Sequence, residues 1–441
     1  MKYFFNEWNL DRPESDFESG VINVYPRIEQ QTILGFGGAF TEAAAYNYAQ
    51  MTDAQKERFL EAYFGKTGTH YNVGRIPMGS CDFALAPYSE STREDLSDFN
   101  IEQDKKYIIP MVKDALRKAG GEMFLFASPW SPPAFMKDNG ELNHAGTLKP
   151  EFYQTYADYF VKFLLAYRAE GILISAVSVQ NEARAKQGWE SCRYSATEEA
   201  VFATNFLRPT LDRNGLANVK IIIWDHNRER IIDRAEESFS VPGARDAIWG
   251  MGYHWYSGAH YDAIRLFRQL YPEKEILATE FCNELKGGIN EEKNCTEHEE
   301  ARNVKYAIEY IQSLRYGAAG LCDWNLMLDP MGGPYHWRRE PGGCAAAFYY
   351  DAEKKELIED VIYRSIHTIV SPIDRGDKVI ASTSADQELP LVAVKKADGS
   401  IYLFVLNTSK EDRTFRVRMG EKGGEVVFPA NSLSANKIIF A

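Results

Sequence analysis

Two glutamates stand where apolar runs give out. Glu182 closes ILISAVSVQNE (172–182) and Glu280 lies at the end of EILATEF (275–281). A carboxylate beside a protein core is costly unless it is paired or hydrogen-bonded, so a strand that finishes on one implies a demand for it at that end. Two carboxyl groups facing one cleft can divide the work of cleaving a glycosidic bond: one protonates the departing oxygen, and the other attacks or activates water. A single strand-end glutamate is more commonly a helix cap or half of a surface ion pair. Two of them on facing strands, with aromatic residues between, favour the chemical reading.

The ends of the other apolar runs carry similar residue types: Glu42, Asp82, Trp130, Asn181, the pair Asp225 and His226, the trio His254, Trp255 and Tyr256, and Asp323, Trp324 and Asn325. Competing chemistries lack their markers. The eight histidines are dispersed and no H-E-x-x-H occurs, so no metal site and no cofactor is expected. GFGGAF (35–40) has Phe40 where a dinucleotide fingerprint needs its third glycine, and neither a Walker A motif nor G-x-S-x-G is present. The six cysteines form no C-x-x-C pair and are expected to be reduced thiols, and the sequons at Asn294 and Asn407 would matter only in a secretory pathway.

The elements that must position these residues follow from periodicity. Apolar runs at 32–40, 71–79, 123–130, 172–182, 220–226, 247–256, 275–281 and 318–325 alternate with amphipathic stretches such as TDAQKERFLEAYF, which opens on a threonine cap. Eight such units predict a closed (β/α)₈ TIM barrel, with an open doubly wound sheet as the alternative. After YRSIHTIV the texture changes to alternating strands with turns at ADGS and EKGGE, the pattern of a β-sandwich. The predicted division is 1–31 as N-terminal sandwich strands, 32–371 as barrel and 372–441 as the rest of the sandwich. In a barrel, the C-terminal ends of the strands form the active face, which is where the residues above lie.

With 441 residues, 45% hydrophobic and 26% charged, the chain can bury a large core. A net charge of −13 disfavours nucleic acid and anionic lipid as partners. The opening MKYFFNEWNLDRPE lacks a signal-peptide core and no run of 18 apolar residues follows, so a cytoplasmic location without membrane insertion is expected. Oligomeric state is not legible.

FGGAFTEAAA (36–45), RIPMGSCDF (75–83), ASPWSPPAFMK (127–137), NGEL (139–142), QNEA (180–183), HWY (254–256), ATEFC (278–282) and DWNL (323–326) together resemble glycoside hydrolase family 30, the glucosylceramidase family. The motifs run in order over nearly the whole chain. The resemblance implies a barrel with a sandwich built from both termini, and a retaining reaction on a β-glycoside. It further implies that Glu182 is the acid/base and Glu280 the nucleophile, with Glu182 raised in pKa and Glu280 kept ionised. Arg75, in an otherwise apolar strand, would pair with Glu280. Asn181 would bind the sugar 2-hydroxyl, Asp82 other hydroxyls, and Trp130 and Trp324 the ring's apolar faces. His254 and Tyr256 match the strand-6 motif and would bind substrate, Tyr256 also as a hydrogen-bond donor to the nucleophile, and Trp189 in QGWESC would line the aglycone side.

Two departures stand out. Ala183 replaces the proline usual after the N-E pair, and GGPYHWRREPGG (332–343) keeps only its Gly-Gly-Pro, which leaves aglycone recognition open. The expected activity is release of a terminal β-linked sugar, glucose first, from a small glycoside. β-Xylosidase, β-fucosidase and β-1,6-glucanase are alternatives within the family, and a non-catalytic carbohydrate-binding barrel is the alternative outside it.

Overall fold

A computed structural model describes residues 1–10, 12–13, 20–285, 287–289, 297–337 and 343–439. Eight parallel strands close on themselves: β1 (Gly35–Ala39), β2 (Val73–Met78), β3 (Phe124–Pro129), β4 (Ile174–Ser178), β5 (Lys220–Asn227), β6 (Gly250–His254), β7 (Glu275–Glu280) and β8 (Gly320–Asn325). β8 pairs with β1, which completes the cylinder and excludes the open doubly wound sheet. Seven of the eight fall inside the predicted runs, and β5 extends one residue past its own, to Asn227. Each is buried nearly throughout, as strands sandwiched between a packed interior and a helical ring must be.

The helices form where capping and spacing dictate. Thr52 caps Asp53–Phe64 through a reciprocal box with Gln55, and Phe59, Leu60 and Tyr63 from that helix are buried. Prolines divide what the periodicity joins. Pro110 cannot bond back to the preceding turn, and the amphipathic stretch IEQDKKYIIPMVKDALRKAG (101–120) divides into Glu102–Lys106 and Ile108–Lys118 around Tyr107. Pro209 is accommodated by a wide π-turn over Phe202–Leu207 between Ala196–Val201 and Arg208–Arg213.

Nine of the remaining strands join one sheet that carries the sandwich core of Ile22, Val24, Leu391, Leu403, Val417 and Phe428, while Phe348–Asp351 and Glu356–Glu359 pair as a separate hairpin. Both ends of the chain enter it. Lys2–Asn9 runs parallel to Ser432–Ile439, and Val21–Thr32 pairs with Lys378–Ser384 through register shifts on either side of Ile380. The ADGS turn forms as read, whereas EKGGE is mostly strand: Met419 pairs with Lys422, so the reversal falls at Gly420–Glu421. Asn407 is buried, with its amide nitrogen donating to the carbonyls of Glu411, Phe428 and Pro429. Asn294 and Cys295 lie outside the described residues. No helix among the described residues is long and apolar enough to cross a membrane.

Candidate active site

At the C-terminal rim three strands slip register, each beside a polar residue. The shift between β5 and β6 falls at Asp225, that between β6 and β7 at Thr279, and that between β8 and β1 at Trp324. A bulge adds one residue on one side of a ladder and re-aims the side chains that follow. Trp224, Asp225 and Glu182 all have positive φ, at 71°, 44° and 49°. Such backbone is costly for residues other than glycine and persists where its surroundings hold it. Here the hold is explicit: Glu182 N–H donates to the Asp225 carbonyl at 2.8 Å, and Asn181 N–H to Pro129 of β3 at 2.8 Å. Beyond β4 the chain therefore stays wedged between β3 and β5, which answers why an apolar run finishes in Gln180, Asn181 and Glu182. Gln180 is buried, with its amide donating to the carbonyls of Trp130 and Asn181.

Arg75 is the centre of the polar floor. It is completely buried, and its guanidinium donates to Glu280 Oε2 at 2.5 Å, Asn181 Oδ1 at 2.7 Å, Asp225 Oδ2 at 2.9 Å and Ser128 Oγ at 3.1 Å. The planar, permanently charged fork is suited to serving several acceptors at once. Trp130 lies 4.6 Å from it, ring centroid to guanidinium carbon, and Trp324 stacks on Trp130 with centroids 5.1 Å apart. Tyr256 Oη donates to the other Glu280 oxygen at 2.9 Å. Glu280 thus has one oxygen on a cation and the other on a neutral donor.

Asp225 fixes the opposite side. Arg75, Ser128, Ser178, Thr279 and His254 all bond to its carboxylate. Burial alone would raise its pKa, but Arg75's charge and the bond to His254 outweigh it and hold the group ionised far below the usual range. His254 is also fully buried, with Nε2 3.1 Å from Asp225 Oδ1 and Nδ1 3.2 Å from Glu182 Oε1. The same Nδ1 lies 3.9 Å from Glu280 Oε1. The two glutamate oxygens are therefore no further apart than those two reaches laid end to end, well short of the wide end of the inverting range, about 9.5 Å.

The electrostatics correct one expectation. Burial pushes Glu182 up, but the His226 and His254 imidazoles beside it prevail, so its pKa lies below the ordinary range rather than above it. His226 Nδ1 is 3.5 Å from Glu182 Oε1 without hydrogen-bond alignment, so its part is chiefly electrostatic, and His254 makes the directional contact. His254 is lowered by burial, yet Glu280's charge and its bonds to Asp225 and Glu182 lift it to about 9. The opposed shifts favour carboxylate and imidazolium across the Glu182–His254 contact, so the proton that a lone acid would keep lies with His254.

A cavity of about 280 Å³ opens above this floor, lined by Asp82, Trp130, Asn181, Glu182, Glu280 and Trp324. Asp82 is held protonated by burial and by Glu280's charge, and its buried Oδ1 has no protein partner. An unmatched buried carboxyl oxygen suits a hydroxyl from a bound molecule. Tyr256 and Trp189 line the cavity too, and Trp189 packs on Trp337 with centroids 4.2 Å apart. His254, expected to touch substrate, instead lies behind the carboxylates with both nitrogens occupied. His226 is the residue that sequence reasoning passed over: it was noted at the end of a strand, but only the bulge at Asp225 turns it to the cavity wall. Trp337, in the segment without a motif match, had no signal at all.

Glu182, His226 and His254 also bring three metal-type ligand atoms within 4.8 Å of one another, a cluster invisible in the sequence because it comes from three strand ends. Two of its three members are already satisfied as hydrogen-bonded partners.

Comparison with known proteins agrees with this geometry. Residues 33–348 match the model of the glycosyl hydrolase family 30 TIM-barrel domain, and residues 376–434 that family's β-sandwich domain. Mouse lysosomal acid glucosylceramidase is 31% identical over 430 residues, 94% of this chain and 82% of that protein. Among solved structures, SrfJ from Salmonella typhimurium superposes with a TM-score of 0.90 at 34% identity, covering 95% of this chain and 93% of that one. An endo-β1,6-glucanase follows at a TM-score of 0.82 and 27% identity, covering 93% and 92%. The matches span barrel and sandwich alike, and this chain belongs to glycosyl hydrolase family 30.

Proposed function

We propose that this glycoside hydrolase is a retaining β-glycosidase that removes a terminal β-linked sugar, most readily glucose, from a small glycoside. The observation that supports this is the convergence of Glu182 and Glu280 on one imidazole nitrogen, at 3.2 and 3.9 Å, which is compatible with the ~5–5.5 Å separation that double displacement uses. Glu280 attacks the anomeric carbon. Arg75 pairs with one of its oxygens, and Tyr256 orients the other. Glu182 passes the proton held by His254 to the leaving oxygen, then takes one from water in the second step. Asn181, held by Arg75, faces the 2-hydroxyl, while Asp82 accommodates a further hydroxyl and Trp130 and Trp324 support the ring.

A cavity at the small end of the range for ligand sites suits one sugar ring with a compact aglycone. A second reading, β-1,6-glucan cleavage, draws support from the endo-β1,6-glucanase neighbour and from the Trp189–Trp337 wall beside the cavity. A panel of aryl β- and α-glycosides and β-1,6-linked oligosaccharides, with NMR of the first-formed anomer, tests both. Release of the β-anomer from aryl β-glucosides is expected. First appearance of the α-anomer would overturn the retaining assignment.

A further inference from the structure

Cys282 lies two residues beyond Glu280, and Cys344 sits on the rim segment that carries the opposite wall of the cavity. Their sulfurs are 2.6 Å apart. The backbone accounts for the approach. Glu284 and Cys344 form an antiparallel bridge, flanked by Leu285 N–H to the Gly343 carbonyl at 2.8 Å and Ala345 N–H to the Asn283 carbonyl at 2.7 Å. Cys282 is two residues from Glu284, so it emerges on the same face as Cys344 and diagonal to it, within reach across a narrow pair. Both thiols line the cavity.

The pair also touches the machinery around Glu280. Tyr256 Oη donates to Glu280 Oε1 at 2.9 Å and lies 3.6 Å from Cys282 Sγ. Neither the proposed hydrolysis nor the polar floor employs these sulfurs.

We propose that Cys282 and Cys344 are the site of a reversible disulfide that staples the rim to the end of β7 and lowers turnover. In this step an exogenous low-molecular-weight disulfide is reduced to two thiols; the two cysteine thiols give up two electrons and two protons, and one Sγ–Sγ bond forms. The sulfurs need only close from their present contact to the ~2.05 Å of a bond. Oxidation removes the thiol proton beside Tyr256 and fixes Gly343 and Cys344 at the cavity wall. Cys282 is buried and Cys344 half-buried, and both thiols are pushed up in pKa, so exchange proceeds over hours rather than seconds.

The test is incubation of the full chain with oxidised glutathione at mildly alkaline pH, followed by intact mass, a non-reducing peptide map and hydrolysis of an aryl β-glucoside. A product two hydrogens lighter, one cross-linked peptide pair holding Cys282 and Cys344, and a threefold or greater fall in kcat/KM that dithiothreitol reverses are expected. Cys344→Ser should lose both the mass change and the redox response, measured against its own untreated rate. A stable glutathione adduct, a bridge between other cysteines, or a Cys282–Cys344 bridge that leaves kcat/KM unmoved would overturn the proposal. The peptide map reads the wild-type chain, so it decides even if the serine variant does not fold. It needs no hydrolysis, which separates its failure from failure of the proposed activity.

Discussion

Glu182 Oε1 and His254 Nδ1 stand 3.2 Å apart, and the other nitrogen of the same imidazole is bound to Asp225 at 3.1 Å. With Nε2–H committed to an aspartate that stays ionised, one further proton serves Glu182 and Nδ1 together. Under the proposed mechanism the acid/base is thus half of a pair, and its partner His254 is fully buried.

That sharing sets the alkaline side of the pH profile. The first step needs the shared proton, His254's raised pKa of about 9 marks its loss, and kcat/KM should fall as pH rises through that region. Removing the imidazole with His254→Ala should shift the alkaline limb to lower pH and cut kcat/KM by roughly 10²-fold or more. An alkaline limb that stays in place in the variant would contradict the pairing.

The two glutamates should fail differently. Glu280→Gln should reduce hydrolysis of every aryl β-glucoside by about 10³-fold or more, because no covalent intermediate can form. Glu182→Ala should be severe for poor leaving groups and mild in the glycosylation step for nitrophenolates, which need little protonation. Pre-steady-state burst kinetics would show the resulting accumulation of glycosyl-enzyme. Equal losses across leaving groups for Glu182→Ala would remove it from the acid role.

Arg75 should matter to stability as much as to rate. Replacing it with Met leaves Glu280 and Asp225 facing each other without their shared cation, and breaking a buried pair in this way costs about 3–5 kcal/mol. Chemical denaturation should show that loss. Lys cannot present the same fork, so Arg75→Lys should recover only part of it.

A glycine away from the substrate provides a geometric check. A Cβ on Gly252 would lie 2.8 Å from Thr279 Oγ1 and 3.2 Å from Asp225 Oδ1, inside the bonds that aim Asp225 at Arg75 and His254. Gly252→Ala should therefore lower kcat by about tenfold or more with a much smaller change in KM. A variant with wild-type kcat would show that the Thr279–Asp225 contact positions nothing.

The order of the elements was written in the sequence. Eight apolar runs with amphipathic segments between them can bury their faces in few ways, and the glutamates ending the fourth and seventh runs could be placed on one rim because parallel barrel strands all finish on the same side. Arg75 announced a buried anion, since a guanidinium inside an apolar strand has no other means of being tolerated. What the tertiary structure decided was direction. Alternation with a period of two predicts which side a strand residue faces only while register is kept, and the slips at Asp225, Thr279 and Trp324 break it just where the chemistry sits. Hence His254 turned inward to hold Glu182, His226 came to the wall, and Cys282 met Cys344 from 62 residues away. Each of these depends on contacts between distant segments, which local residue preferences do not encode.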